Sequence, residues 1–163
     1  MANLALNGYS LTLEDLVQAA RNPNSQVTLA PEAIPSIQRA ADAVAKFVSE
    51  GRIAYGITTG FGAFKDRLIP SEDVEKLQEN IILSHAVGTG PELPAEVVRA
   101  MMIIRANTLA KGHSGIRLET LQLMLALLNK NILPLIPSKG SLGASGDLAP
   151  LAHMALPLIG QGE

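Results

Sequence analysis

The stretch "GSLGASGDLAPLAH", residues 140–153, sets three glycines within seven positions and places Ser145 between Ala144 and Gly146 with no basic side chain beside it. Asp147 stands where a helix N-cap is expected, Pro150 falls in a first turn that tolerates a missing N–H, and Pro157 kinks or ends the helix. A glycine-rich loop therefore feeds directly into an apolar helix. The loop fits none of the common cradles. A phosphate loop needs Lys-Ser or Lys-Thr after its glycines, and none follows. A nucleophile elbow needs G-x-S-x-G, whereas Gly143-Ala144-Ser145-Gly146-Asp147 has its second glycine one position early. A dinucleotide fingerprint needs a preceding strand and G-x-G-x-x-G spacing. A plain structural turn and one further chemistry remain.

Residue size permits that chemistry without requiring it. Ala and Gly around Ser145 leave the backbone free to fold sharply onto itself. Attack of the Gly146 amide nitrogen on the Ala144 carbonyl closes a five-membered ring. Loss of two waters, one from the Ser145 side chain, leaves an exocyclic methylidene. No ordinary side chain is electrophilic, so such a group does what an organic cofactor otherwise does.

The rest of the chain reads as helical. Thr12 with Glu14 and Asp15 opens a helix that fades near Asn22-Pro23. Ile37, Ala40, Ala41, Val44, Phe47 and Val48 recur at helical spacing before Gly51. Ser71-Glu72-Asp73 starts another helix, Pro94 precedes a fourth that closes near Gly112, and residues 118–130 carry Leu on almost every face, which predicts burial from more than one side. Two loops break the pattern: "YGITTGFGAF" at 55–64 and the segment from about 131 to 146. Loops held by a rigid scaffold carry a large share of binding and catalysis.

Composition narrows the class. With 163 residues, 47% apolar and 17% charged, the chain has enough apolar surface for one folded domain. Aromatics are 3% with no Trp, so the core is aliphatic. A net charge of −2 argues against nucleic-acid and anionic membrane partners. Absence of cysteine excludes disulfides and thiolate metal sites and fits a reducing, cytoplasmic setting. The three histidines show no HExxH-like spacing, so no metal is expected. "MANLALNGYSLTLEDL" lacks the features of a signal peptide, and "LETLQLMLALLNKNILPLIP" is broken by Glu119, Gln122, Asn129, Lys130 and Pro134. A soluble protein is expected.

"GSLGASGDLAPLAH" closely resembles the ring-forming segment of the histidine and aromatic amino acid ammonia-lyases, which carry a 4-methylideneimidazole-5-one (MIO) group. "YGITTGFG" resembles that family's tyrosine loop, and "LQENIILSHAVGTG" and "RANTLAKGHSGIR" resemble the two helical segments between them. The four matches stand in the family's order and cover most of residues 53–163.

The resemblance implies a mainly α fold: the N-terminal domain of the MIO ammonia-lyase fold, spanning 1–163, helices with two glycine-rich active-site loops and without the central long-helix bundle. It implies that Ala144, Ser145 and Gly146 form the MIO ring autocatalytically, with no metal or nucleotide. Asp147 would support ring formation as well as cap the next helix. Tyr55 would be the base for the β-proton, although a phenol releases its proton only near a pH of about 10 unless its neighbours favour phenolate. Ser84 and His85 would contact the substrate ring, with Gly62 also at the substrate. Gly56, Gly60 and Gly62 suggest a loop able to move over the site. His113 and His153 read as structural, packed near the loops.

The implied reaction is elimination of ammonia from L-histidine to give urocanate, in a cytoplasmic homotetramer. Thr58 departs from the asparagine usual in histidine enzymes and leaves a tyrosine or phenylalanine ammonia-lyase, or an aromatic aminomutase, as the alternative. A further alternative is a non-catalytic helical fragment that needs a partner chain. The family's subunits are longer, so these residues alone are expected to be inactive.

Overall fold

A computed structural model describes residues 3–143 and 146–163. Among these residues the order is β1 (Asn3–Leu6), α1 (Leu13–Arg21), β2 (Gln26–Leu29), α2 (Ile34–Ser49), α3 (Val74–His85), β3 (Thr89–Glu92), α4 (Ala95–Leu109), α5 (Leu118–Asn129), β4 (Pro137–Lys139) and α6 (Leu148–Ala155). The fold is mainly α, as the periodicity predicts.

Local chemistry sets the helix ends. The Thr12 side chain accepts from the Asp15 N–H at 3.1 Å, so α1 begins with a true side-chain cap and an acidic first turn. Short 3-10 turns lead into α2 at Pro31–Ala33 and into α3 at Ser71–Asp73. Beyond α6 the chain tightens into a 3-10 turn, Leu156–Ile159, with Pro157 near its start.

The core forms where α4 packs against α1 and α5. Val98, Met102, Ile103, Ala106 and Leu109 bury one face of α4, and Leu121, Met124, Leu125 and Leu128 bury the matching stripe of α5. Leu118 and Leu127 flank that stripe half-buried, and the opposite side of α5 is open: Leu123 is 45% exposed. The expectation of burial from more than one side is corrected for these residues.

Arg99 lies inside this core at 2% exposure. Its guanidinium donates to the Leu128 carbonyl (3.1 Å), Asn131 Oδ1 (3.2 Å), and the Ala19 and Asn22 carbonyls (both 3.3 Å). These acceptors sit at the C-terminal ends of α5 and α1, where orphan carbonyls and the helix dipole favour a cation. Burial lowers the Arg99 pKa by desolvation, but a guanidinium titrates far too high to lose its charge. A single side chain thus ties off two helices.

The two strand pairs were not legible as strands. β1 and β2 pair in parallel, Asn3 opposite Gln26 through Leu6 opposite Leu29, with Leu6 and Val27 buried beneath them. The Asn129 side chain then brackets Val27, accepting from its N–H and donating to its carbonyl, each at 2.8 Å. β3 and β4 pair antiparallel, Thr89 opposite Lys139 and Glu92 opposite Pro137. This second ladder positions the site.

Candidate active site

Three segments far apart in sequence meet beside the β3–β4 ladder. β3 starts four residues after His85, and β4 ends just before Gly140. Pairing Thr89 with Lys139 therefore brings the end of α3 next to the loop that precedes Ala144. A side chain on Gly140 (φ +129°) would put its Cβ 3.0 Å from Gly88 Cα, tighter than nearly all real Cβ contacts, so the Gly88 backbone would have to give way. Helix α6 closes the junction: the Gly88 N–H donates to His153 Nε2 at 3.0 Å. That geometry needs a neutral imidazole with its proton on Nδ1, and burial lowers the His153 pKa in the same direction.

Of the predicted ring precursors, Ala144 and Ser145 lie outside the described residues. Gly146 adopts φ +88° and its N–H donates to the Gly143 carbonyl at 3.2 Å. Asp147 follows at φ +57°, also left-handed. Two consecutive left-handed residues turn the chain sharply into α6. Asp147 holds the N-cap position of α6 without capping it through its side chain. Its Oδ1 instead accepts from the Ser141 hydroxyl. The expected cap is corrected: with a left-handed backbone at Asp147, its carboxylate closes the loop across residues 141–147, and only its carbonyl serves the helix, accepting from the Leu151 N–H at 3.2 Å.

Ser84 and His85 occupy the last turn of α3. His85 Nδ1 lies 2.8 Å from the Ile81 carbonyl, which can only accept, so Nδ1 carries the hydrogen. In the neutral ring Nε2 is then an acceptor. The Ser84 hydroxyl donates to the same carbonyl at 3.1 Å and lies 3.1 Å from His85 Nδ1. Its donor is thus spent on the helix end while it steadies the imidazole.

Tyr55 is 65% exposed, with its ring edge-on to Phe61 at 5.9 Å. Its hydroxyl accepts from the Gly62 N–H at 3.5 Å, the outer limit of a hydrogen bond. The loop around it is closed from within. Thr58 Oγ1 donates to the Arg52 carbonyl at 2.6 Å and accepts from the Ala54 N–H at 2.9 Å, and Thr59 bridges to Leu68. Thr58 and Thr59 are buried, so Thr58 is turned into the loop. Gln78 of α3 donates to the Gly56 carbonyl at 3.0 Å and joins the tyrosine loop to the His85 helix. Gln78, Gly88 and Gly140 lie within the quoted motifs, but their roles as contacts between segments are ones no local pattern records.

A cavity of about 490 Å³ lies against the ring segment, lined among others by Ser141, Gly146, Asp147, Ile104 and Arg105. Its lining includes neither Tyr55 nor the Ser84-His85 pair. Gln78 and the β3–β4 ladder link all three predicted segments, while among the described residues no hydrogen bond or ring contact joins Tyr55 to His85 or Gly146. No helix of the described residues is long and apolar enough to cross a membrane.

Comparison with known proteins places this arrangement. A family profile described as aromatic amino acid lyase matches residues 11–163. The chain is 59% identical over 160 residues to a histidine ammonia-lyase of Chloroflexus aurantiacus, covering 97% of this chain and 31% of that protein. The crystal structure of a histidine ammonia-lyase from Trypanosoma cruzi superposes with a TM-score of 0.88 at 38% identity, over 98% of this chain and 31% of that one. A tyrosine aminomutase from Streptomyces globisporus gives 0.92 at 35% identity, over 99% and 30%. The chain thus spans about 31% of the length of the Chloroflexus relative.

Proposed function

The chain belongs to the aromatic amino acid lyase family, and we propose that it is the ring-bearing N-terminal portion of an ammonia-lyase that converts L-histidine to urocanate and ammonia. The observation that carries this reading is the β3–β4 ladder, which sets the Ser84-His85 end of α3 beside the ring segment. The choice of histidine is supported by the 59% identity to the Chloroflexus enzyme.

The residues fit an MIO group. The left-handed pair Gly146-Asp147 and the Ser141–Asp147 contact hold the residues that flank Ala144 and Ser145 in sequence. When formed, the group supplies an electrophile that makes the substrate amine a better leaving group. Ser141 and Asp147 hold the loop that would bear it. His85 Nε2, left as an acceptor by the Nδ1–Ile81 bond, orients a substrate imidazole by accepting its N–H. Tyr55, acting as phenolate, takes the β-proton and becomes the neutral phenol, and the Gly62 N–H holds its oxygen. The enzyme works as a cytoplasmic homotetramer on a small amino acid, without nucleic acid, membrane, metal or nucleotide. The isolated 163-residue chain is inactive.

Thr58 and the likeness to a tyrosine aminomutase favour a second reading, a tyrosine-directed lyase or aminomutase. Turnover of the full-length protein with L-histidine, L-tyrosine and L-phenylalanine decides between them. Urocanate from histidine is the expected outcome; coumarate or a β-amino acid from tyrosine, with no urocanate, overturns it. Intact mass two waters below the encoded sequence is expected for the wild type and not for Ser145→Ala.

A further inference from the structure

We propose that His153 is a positioning residue for substrate recognition, holding the His85 end of α3 in register with the ring segment through the backbone of Gly88. The inference deepens the lyase reading and rests on it for the roles of His85 and the ring. His153 itself does not touch substrate.

The junction is built for contact without slack. A Cβ on Gly88 would lie 3.0 Å from His153 Nε2 and 3.2 Å from Pro137 Cβ, and one on Gly140 would lie 3.0 Å from Gly88 Cα. The segment after α3, the segment before the ring residues and the helix after them thus meet at one point. Among the described residues, the hydrogen bond that crosses from α6 to this point is Gly88 N–H to His153 Nε2, at 3.0 Å.

The path from Gly88 back to His85 is short and stiff. The Val87 N–H donates to the His85 carbonyl at 2.9 Å, and the Ala86 N–H to the Ile82 carbonyl at 3.1 Å. A shift of Gly88 is therefore passed to His85 and is not absorbed by a flexible linker. At the other end, α6 begins directly after Asp147, whose carboxylate closes the ring-bearing loop. His153 fixes the spacing between the group that recognises the substrate ring and the group that activates its amine. A shift at Gly88 moves His85, the group proposed to hold the substrate ring, and leaves Tyr55 on its own loop, so the effect falls on substrate recognition.

The experiment compares His153→Leu, which removes the acceptor, with His153→Gln, whose Oε1 still accepts from Gly88. In the full-length enzyme the leucine variant is expected to raise KM for L-histidine about tenfold with kcat within about threefold, and the glutamine variant to restore KM within about twofold. Both variants keep the two-water mass loss. Should the leucine variant misfold, His153→Asn, too short to reach Gly88, takes its place. An unchanged KM in the variant lacking the acceptor, or a glutamine variant that behaves like it, overturns the proposal. Hydrogen exchange of the Gly88 amide separates this result from the substrate reading. Exchange is faster without the acceptor and recovers with glutamine, whichever amino acid the enzyme takes. Equal rates in all forms sink the positioning role even if histidine is the substrate; absence of urocanate sinks only the substrate reading.

Discussion

The Gly88 N–H donates to Nε2 of His153 across 65 residues of sequence, at 3.0 Å. Gly88 follows the histidine that ends α3, and His153 lies on the helix that follows the ring precursors. The bond therefore ties two motifs that the sequence presents as separate. Its acceptor exists only while the imidazole is neutral.

A pH dependence follows. Burial lowers the His153 pKa from its ordinary value of 6.5, so between the folded value and 6.5 the unfolded chain binds more protons than the folded one. Stability therefore rises with pH across that window, is level above it with respect to this group, and is lost on acidification. Urea midpoints of the full-length protein between a pH of about 5 and 8 should show a steeper acid decline for wild type than for His153→Gln. Parallel curves would show that His153 does not titrate in this way.

Arg99 predicts a large effect on folding. Replacing it with Met strips the buried Ala19 carbonyl of its side-chain donor and removes the second donor of the Leu128 and Asn22 carbonyls, which keep the Asn131 and Ser25 N–H groups. The expected loss is about 3 kcal/mol. Arg99→Lys should recover only part of it, because an ammonium cannot reproduce the planar fork that reaches two helices. Denaturant midpoints measure both.

Tyr55→Phe keeps the edge-on ring against Phe61 and removes only the oxygen beside Gly62. Loss of the proposed base lowers kcat by about 10²–10⁴-fold. Melting temperature should stay within error, since the Gly62 bond is long. A full-rate phenylalanine variant would assign the proton transfer elsewhere.

His85→Leu removes the proposed acceptor for the substrate imidazole while leaving α3 helical. Its kcat/KM for L-histidine should fall about tenfold or more. An unchanged value would show that Nε2 does not contact the substrate ring.

Thr58→Val tests the closure of the tyrosine loop. It removes the donor to the Arg52 carbonyl and the acceptor for the Ala54 N–H at a position 5% exposed. The cost is about 1–3 kcal/mol, read as faster proteolysis or amide exchange within residues 52–69. Equal protection would mean that Gln78 and the Thr59 bridge hold the loop alone.

Much of this arrangement is written locally. Thr12 caps α1 because a short hydroxyl beside acidic residues satisfies exposed N–H groups wherever the chain lies. Spacing gives α4 and α5 as helices but not which face is buried: Ile104 and Leu123, as apolar as their neighbours, are 48% and 45% exposed. Asp147 shows where local reading fails: its residue type predicts a cap, but a left-handed backbone turns its carboxylate onto Ser141. The short strands were missed because four-residue segments such as "NLAL" and "QVTL" carry too little alternation to separate from loop, and their pairing depends on partners far away.

The sequence by itself determined the helices, the glycine-rich ring segment and the four ordered motifs of the family, because spacing and residue type act over a few positions. Tertiary structure decided which of these meet. Gly88 against Gly140, His153 on Gly88, Gln78 on Gly56 and Arg99 between two helix ends are contacts between distant segments. Each depends on burial and close approach, which arise only when the chain has folded and water has left the junction.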